Sequence, residues 1–206
     1  MRVGLISDTH LEDGEPLPPL VYEAFGEVDL IMHTGDFDAL SVIDLLERIA
    51  PVVAVRGYTD PVSPERGLQE MLVHSLDGWR VGMVHDIAHP AYYIRAIGTS
   101  ATLQFPATPL PEVLKIRFGQ RLDAVVFGDT HAPLILEREG VLLMNSGSPT
   151  RPHLPGRASP PGTVGLLEVQ PDVVRARVVS LERGLPALLE GEIGRIAQKP
   201  RNKRAP

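Results

Sequence analysis

The sequence predicts an α/β fold in which a mixed sheet, or two packed sheets, carries helices on its outer faces. Three patterns support this prediction. Apolar strands alternate with helices in the first half, Asp77-Gly78 marks a hairpin, and four strand-like segments that look antiparallel fill the second half. Strands that alternate with helices pair in parallel, and two-residue Asp-Gly loops join antiparallel strands.

The first half of the chain predicts three buried strands, at residues 2–7, 28–33 and 51–56, where apolar residues are continuous. A helix opened by prolines is expected over 18–26 and an amphipathic helix over 39–49, where apolar residues recur at helical spacing. Because the carboxyl ends of parallel strands meet at one edge of a sheet, polar residues that follow them are available for chemistry.

The rest of the chain predicts the hairpin 71–76 and 79–85, an irregular segment over 87–122 with a helix that reaches Gln120, and a strand at 122–127. The four strand-like segments that follow are LILERE (134–139), VLLMNS (141–146), TVGLLEV (163–169) and VVRARVV (173–179).

The length, charge and hydrophobicity of the chain exclude some classes of protein. Its 206 residues suit one domain, expected over 1–198, with a basic and disordered tail at 199–206. The formal charge of −6, from 20 Lys and Arg against 26 Asp and Glu, argues against an extended nucleic-acid surface. No run of about 18 apolar residues is present, so we expect no membrane span.

The chain contains no cysteine, which excludes disulfides and thiolate metal sites. Its first residues, MRVGLIS, lack the charged start, long apolar stretch and cleavage site of a signal peptide. We therefore expect a cytoplasmic location, and we leave a homo-oligomer open.

Polar residues follow strand after strand. The segments ISDTH (6–10) and FGDTH (127–131) both end in Asp-Thr-His, and HTGDFD (33–38), RGYTD (56–60) and VHD (84–86) follow other strands. Asp and Thr are ordinary turn residues, so one such tripeptide has little meaning. Carboxylates and imidazoles gathered at several strand ends are, however, the ligands of Mn²⁺, Zn²⁺ and Fe²⁺. The pattern predicts a metal site at this edge of the sheet.

The order of these motifs resembles the calcineurin-like metallophosphoesterases. That family has D-x-H, GD, GN-x-D, a lone His and G-H-x-H in this order, and the YfcE/Vps29-like branch adds an N-x-G-S turn, here Asn145 to Ser148. The resemblance, from about Arg2 to Arg151, implies a four-layer α-β-β-α sandwich of two mixed sheets. It implies hydrolysis of a phosphoester, for which we favour a phosphodiester small molecule, by a hydroxide bound between two metal ions.

The resemblance also implies a role for particular residues. Carried over by position, Asp8, His10 and His131 bind one ion, Asp36 bridges both ions, and His85 binds the second. Asp36 and His85 therefore belong to the catalytic centre. We expect two divalent ions, Mn²⁺ by preference, with Fe, Zn and Ni as alternatives.

Two positions depart from the family pattern. Tyr58 stands where the family has the Asn of GN-x-D, and Asp129 stands where it has the first His of G-H-x-H. We expect Asp129 to face the second ion, so the repetition of Asp-Thr-His is partly accidental. Tyr58 either binds that ion as tyrosinate or turns away. We favour the latter, with a weakly held second ion, because free Tyr has a pKa near 10.

The proton donor to the leaving group is open. In many relatives a His follows the Asn of GN-x-D, but here Thr59 occupies that position. Asp60, His89 and solvent are the candidates, although Asp60 and Asp38 also suit simple turn roles. His33 is expected to support a ligand rather than to bind metal.

Two further expectations concern neighbouring segments. Asn145, Ser146 and Ser148 are expected to build a turn that supports His131. The Pro-rich stretch 99–111 is predicted to border the active site as a lid, or to form an oligomer contact, because long loops are usually functional or disordered.

A non-catalytic scaffold of the Vps29-like kind is the alternative to an enzyme, since an altered second metal site suits a scaffold. A nuclease is a weaker alternative, because the chain lacks a basic face. The presence of every residue of the first site, and of His85, favours the enzyme.

Overall fold

The structure, a computed structural model, describes residues 1–89, 95–96, 102–154, 156–183 and 187–194. The predicted tail, 199–206, lies outside these residues, and the domain boundary at 198 stays a prediction. Among the described residues, no helix has the length and apolar character needed to cross a membrane. The cytoplasmic location stays a prediction.

Short strands account for most of the regular structure. The strands in the described part of the chain are β1 (Arg2–Ile6), β2 (Leu30–His33), β3 (Val52–Ala54), β4 (Met71–Leu76), β5 (Trp79–Val84), β6 (Arg95–Ala96), β7 (Leu103–Gln104), β8 (Ala124–Phe127), β9 (Leu134–Arg138), β10 (Val141–Asn145), β11 (Thr163–Val169), β12 (Val173–Ser180) and β13 (Ala187–Gly194). The helices are α1 (Pro19–Phe25), α2 (Ser41–Glu47) and α3 (Leu110–Phe118), with a 3-10 turn at Pro64–Arg66.

The strands form two mixed sheets and a small ribbon. The first sheet has the order β13-β12-β11-β1-β2-β3, and the second has the order β4-β5-β8-β10-β9. β1, β2 and β3 are parallel, as are β5, β8 and β10. The other strands of the two sheets, which are β11, β12, β13, β4 and β9, pair antiparallel with their neighbours. Each sheet therefore contains three adjacent parallel strands whose carboxyl ends lie at a common edge.

Four layers result from the way the sheets bury their two faces. Leu5 and Val126 contribute to the core between the sheets. Phe25 joins the core under α1 and α2, while Val125, next to Val126 in β8, packs in the core under α3. Successive strand residues point to opposite faces, so a strand buried on both sides reads as continuously apolar. The predicted α-β-β-α sandwich of two mixed sheets is confirmed.

Some element boundaries differ from the prediction. The helix expected over 39–49 is limited to Ser41–Glu47, because Ala39 and Leu40 form the turn before it. β13, which pairs antiparallel with β12, was not predicted. Its sequence, ALLEGEIG, contains Glu and Gly residues that have low strand propensity, and its pairing with β12 outweighs that propensity.

Part of the predicted lid packs against the β9–β10 turn. In the described part of the Pro-rich stretch, Phe105 lies under the guanidinium of Arg138, 4.4 Å from its ring centre. The Leu110 N–H donates to the Glu139 carboxylate at 2.7 Å. Glu139 belongs to the β9–β10 turn, at the end of β10 opposite to Asn145. These contacts argue against a lid at Phe105 and Leu110. Residues 99–101 lie outside the described chain, and for the rest of the stretch the lid and the oligomer contact stay predictions.

Candidate metal centre

The chemically active residues follow the carboxyl ends of the parallel strands. Asp8 and His10 follow β1, Asp36 follows β2, and His85 follows β5 directly. Asp129 and His131 follow β8, which lies beside β5 in the second sheet. The two sheets face each other, so the two sets of strand ends meet. The predicted grouping of Asp8, Asp36 and three imidazoles is found at this edge.

An unusual backbone shape recurs at these strand ends. Eight non-glycine residues of the described chain have positive φ, and six of them belong to three triplets with Asp first and His or Asp third. The six are Asp8 (52°), His10 (43°), Asp36 (56°), Asp38 (67°), Asp129 (69°) and His131 (56°). Asp and His tolerate this region better than most residues, yet each instance costs about 1–3 kcal/mol.

The two Asp-Thr-His segments therefore share a conformation as well as a sequence. In each, the outer residues are left-handed and the central threonine is not. Backbone bonds hold the first copy, since the N–H groups of Asp8 and His10 donate to Gly35 O and Asp36 O at 2.9 and 3.0 Å. From the family pattern, the second Asp-Thr-His segment was expected to be partly an accidental repeat of the first. The two segments nevertheless adopt the same backbone conformation.

The first potential metal group consists of Asp8, His10 and His131, whose ligand atoms all lie within 4.8 Å of one another. The Nε2 atoms of the two imidazoles are 3.3 Å apart, and His131 Nε2 is 3.5 Å from Asp8 Oδ1. His10 Nδ1 lies 3.0 Å from Asp38 Oδ1, and His131 Nδ1 lies 2.7 Å from Arg151 O. Because these oxygens accept Nδ1–H, the Nε2 lone pairs are directed into the site.

The second group consists of Asp8, Asp36 and His85. His85 Nδ1 lies 2.8 Å from Thr34 O, which again leaves Nε2 directed inward, 3.3 Å from Asp36 Oδ2. Within the described residues, His85 Nε2 and Asp8 Oδ2 are buried without a hydrogen-bond partner. Buried polar atoms are rarely left unpaired, and these two have the chemistry of metal ligands. The residues fit a divalent cation.

Asp36 faces both groups. Its Oδ2 lies 3.3 Å from His85 Nε2 and 3.8 Å from His10 Nε2. Asp8 is shared by both groups as well. The geometry therefore offers two carboxylates, rather than one, that contact both halves of the site.

The pKa values show how the site balances its charge with protons. Burial raises the pKa of Asp8 to about 7, against the opposing charge of His85. Although burial disfavours imidazolium, the nearby carboxylates of Asp36 and Asp8 raise the pKa of His85 to about 9. Burial opposes ionisation of Asp36 as well, but His85 holds the pKa of that carboxyl well below its usual range. A bound cation would take the place of these protons.

Tyr58 does not point into either group. Its hydroxyl donates to Asp86 Oδ2 at 2.8 Å, its ring stands edge-on to that of His85 with centres 5.3 Å apart, and 63% of the residue is exposed. Desolvation and the Asp86 carboxylate raise the pKa of Tyr58 above its ordinary value. The phenol is therefore held in its protonated form, away from the ligand atoms.

Asp129 lies beside the site and outside both groups. Its backbone N–H donates to Asp8 Oδ1 at 3.1 Å. Burial, followed by the charge of Asp86, raises the pKa of the half-buried Asp129 carboxyl, and His85 lowers it. This places the side chain near the His85 half of the site, where the second ion was expected.

Asp60 is surrounded by hydrogen-bond donors, which is not the environment expected of a proton donor. Its carboxylate accepts the backbone N–H groups of Asp36, Phe37, Asp38 and Gly57 at 2.7 to 3.0 Å. Burial raises its pKa, and these four donors oppose that effect. Asp60 thus joins the loops after β2 and β3, which is the turn role that the sequence left as an alternative.

Other residues support the ligands from behind. The buried ring of His33 accepts the Gly35 N–H at Nδ1, 3.1 Å away, and its Nε2–H faces Thr9 Oγ1 at 2.6 Å. Burial lowers the pKa of His33 to about 3, which keeps the ring neutral. The Ser148 hydroxyl donates to Asp8 O at 2.7 Å. The expected supporting role of His33 agrees with these contacts, and Ser148 holds Asp8 more directly than it holds His131.

Two glycines make room for the carboxylates. A Cβ on Gly57 would lie 2.2 Å from Asp36 Oδ1, and a Cβ on Gly128 would lie 2.7 Å from Asp8 Oδ2. The sequence showed glycines near the ligands, but only the fold shows that a glycine after β3 faces an aspartate after β2.

A cleft of about 610 Å³ adjoins the His85 half of the site. His85 and Tyr58 lie in its wall, together with Arg117, Asp86 and His89. The cleft adjoins the second potential metal group, because His85 lines the cleft and belongs to that group.

Known proteins share this sequence pattern. Residues 1–172 match the calcineurin-like phosphoesterase superfamily domain. The chain belongs to this family. A protein of Methanothermobacter thermautotrophicus, named as a probable metallophosphoesterase, is 34% identical over 159 residues, which cover 75% of this chain and 80% of that protein. Family membership supports a metal-dependent phosphoester hydrolase, and the predicted family is confirmed.

Solved structures of this family have the same fold. YfcE, a phosphoesterase from E. coli, superimposes with a TM-score of 0.61 at 22% identity, with 94% of this chain and 100% of that chain covered. Vps29 of Entamoeba histolytica in complex with Zn²⁺ gives a TM-score of 0.67 at 20% identity, with 94% and 99% covered. At these identities the likeness establishes the fold alone.

Proposed function

We propose that this metallophosphoesterase is a phosphodiesterase with two divalent ions, held by Asp8, Asp36 and the imidazoles of His10, His85 and His131. One observation carries the proposal. All three imidazoles have Nδ1 occupied by an oxygen acceptor, and all three Nε2 atoms lie within 4 Å of an aspartate oxygen. Such histidines are arranged to bind metal.

The two groups suggest how the ions are divided. Asp8, His10 and His131 form one site, and Asp8, Asp36 and His85 form the other, with Asp36 also directed toward His10. When bound, two divalent ions neutralise phosphoryl oxygens and activate water. Oxygen and imidazole ligands without thiolate suit Mn²⁺, our preferred ion, as well as Fe, Zn and Ni.

Neighbouring groups of the chain orient the ligands. The Thr59 N–H donates to Asp36 Oδ1 at 3.0 Å, which leaves Oδ2 directed toward the imidazoles. The Asp129 N–H occupies Asp8 Oδ1 in the same way, and Asp8 Oδ2 is left without a partner among the described residues. Asp36 is thus fixed by Oδ1 and presents Oδ2, whereas Asp8 is fixed by Oδ1, which also lies 3.5 Å from His131 Nε2.

The charge of the site favours a diester over a monoester. Asp129 and Asp86 lie close to the His85 half, where they add negative charge beyond that of the proposed ligands. A phosphodiester carries one negative charge, whereas a phosphomonoester carries almost two near neutral pH, because its second pKa is about 6. The additional carboxylates therefore repel the monoester more strongly.

The oxygens of Asp60 already accept four amide N–H groups, so Asp60 is a poor proton donor. The leaving group therefore needs a proton from another source. The exposed imidazole of His89 lies in the wall of the cleft and is our preferred donor. Solvent is the alternative. The pH profile of a His89→Ala variant distinguishes them, because a solvent donor would leave the acidic group of the profile in place.

The experiment compares hydrolysis of bis-p-nitrophenyl phosphate and p-nitrophenyl phosphate by the purified protein in Mn²⁺. We expect a larger kcat/KM for the diester, and loss of both activities in EDTA. A larger kcat/KM for the monoester would contradict the diesterase proposal while leaving the metal site intact.

The Vps29-like scaffold is the second candidate, favoured by the observation that Tyr58 contacts Asp86 instead of the ligand group. Metal content does not separate the candidates, since the Vps29 of Entamoeba histolytica described above holds Zn²⁺. Turnover does. A metal-loaded protein that hydrolyses neither ester would support the scaffold. The homo-oligomer stays a prediction for sedimentation analysis.

A further inference from the structure

Two large apolar side chains are exposed on the same cleft. Among the described residues, Tyr58 and Ile116 are each 63% exposed, and both line the cleft beside His85. Scattered exposed apolar residues need no explanation, but a pair on one concave surface next to a reaction centre indicates ligand contact.

Two further apolar side chains line the cleft, beside charged groups that include Arg56, Glu70 and Arg117. Met71 begins β4 and Val84 ends β5, and both side chains line the cleft. His85 follows Val84 and joins the cleft to the metal groups. The volume of about 610 Å³ exceeds the needs of one phosphoryl group and falls in the range of about 300–1,000 Å³ typical of organic ligands.

The cleft is held in shape by hydrogen bonds to one loop. The Arg117 guanidinium, next to Ile116 in α3, donates to Ile87 O at 2.5 Å and to Asp86 O at 2.8 Å. The Tyr58 hydroxyl donates to the Asp86 carboxylate of the same loop. Both exposed apolar residues are therefore fixed relative to the loop after β5, and a ligand meets a preformed surface.

We propose that this cleft binds an ester group of the substrate and that Tyr58 and Ile116 select an ester group with a planar ring. Tyr58 then serves in substrate binding at the position where relatives have a metal ligand. An aromatic ring and an aliphatic side chain in the lining of one cleft suit a flat ring better than a short alkyl group. This inference rests on the proposed phosphodiesterase function.

The test measures binding of two phosphonates to the full-length, Mn²⁺-loaded protein by titration calorimetry. Phenylphosphonate and methylphosphonate carry the same anionic group and differ in the ring. We expect the wild type to bind phenylphosphonate roughly tenfold more tightly, as burial of a ring of this size implies. Ile116→Gln and Tyr58→Ala should lower this ratio to about threefold or less.

Two matched variants serve as controls. Val62→Gln changes an apolar residue that is 76% exposed and does not line the cleft, so it should keep the wild-type ratio. Tyr58→Phe keeps the ring and removes the hydrogen bond to Asp86, so it should lower the ratio less than Tyr58→Ala does. Since Tyr58, Val62 and Ile116 are exposed, folding should be unaffected, which circular dichroism verifies.

Several outcomes would overturn the inference. Equal affinity of the wild type for both phosphonates would show that the cleft does not select a ring. If Ile116→Gln and Val62→Gln changed the affinity ratio equally, the cleft would have no part in ring selection. If Tyr58→Phe and Tyr58→Ala changed it equally, the hydroxyl of Tyr58, and not its ring, would be responsible. Failure of the proposed function differs from all of these, because bis-p-nitrophenyl phosphate would then not be hydrolysed.

Discussion

The Nε2 atoms of His10 and His131 lie 3.3 Å apart, and the Nδ1 atom of each ring is already within hydrogen-bond distance of an oxygen. If both Nδ1 atoms carry a proton, two neutral rings present two lone pairs to each other. Such a pair is repulsive unless a proton or a metal ion lies between the nitrogens. The nearby Asp8 carboxylate, 3.5 Å from His131 Nε2, makes a cation the natural occupant.

Removal of one ligand should abolish both metal binding at the first group and hydrolysis. We expect Asp8→Asn or His131→Ala to lose the first ion while the fold is retained, because neither side chain contributes to the apolar core. Metal analysis and hydrolysis of bis-p-nitrophenyl phosphate check this. His74→Ala, which alters a histidine of the β4–β5 hairpin, is the control. Wild-type metal content and activity in either ligand variant would disprove the assignment.

Asp38 should act on metal affinity through His10. Its carboxylate lies 3.0 Å from His10 Nδ1 and also accepts the Thr59 hydroxyl. We expect Asp38→Asn to weaken Mn²⁺ binding about 10–100-fold, the usual effect of losing a carboxylate that orients a metal-binding histidine. Calorimetric titration measures the change, with Asp172→Asn at an exposed turn as the control. Unchanged affinity would mean that the backbone alone fixes the His10 ring.

Stabilisation by metal should increase with pH. In the metal-free protein the pKa of Asp8 is raised from 3.8 to about 7 and that of His85 from 6.5 to about 9. Each raised pKa gives stability that is complete below the unfolded value and is lost as pH rises through the folded value. Asp8 thus loses its contribution between about pH 4 and 7, and His85 between about pH 6.5 and 9.

A bound cation displaces these protons, so its affinity should rise about tenfold per pH unit for each proton released. We expect the increase in Tm caused by Mn²⁺ to be larger at pH 8 than at pH 6, which thermal unfolding at both pH values measures. In the variant His85→Gln, the number of protons released when Mn²⁺ binds should fall by one, which lowers the slope of log affinity against pH. An increase in Tm that is independent of pH would show that no proton is displaced.

The second metal group should gain affinity if Tyr58 and Asp129 are returned to the family pattern. The wild-type phenol donates to Asp86, away from the ligand atoms, and Asp129 adds a carboxylate. We expect the double variant Tyr58→Asn, Asp129→His to bind the second Mn²⁺ more tightly and to hydrolyse the diester faster. Titration calorimetry shows the difference. Tight binding of two ions by both proteins would mean that the natural site is already complete.

The sequence by itself determined the order of strands and the polar residues that follow them. Continuous apolar runs mark strands buried on both faces, and ligands such as Asp8 and His131 come one or a few residues later. This local relation let the metal groups be predicted without knowledge of the packing. The hairpin turn at Asp77-Gly78 could be predicted equally well, because its conformation depends on these two residues only.

Only the tertiary structure decided where side chains point and what distant segments contact. Tyr58 turns to Asp86, 28 residues away, and Asp60 accepts amides from the loop after β2. Likewise, Phe105 packs under Arg138, 33 residues further along the chain, and β13 forms because β12 offers an open edge. These outcomes depend on contacts between segments that are remote in sequence, and the pattern of residues within each segment does not contain them.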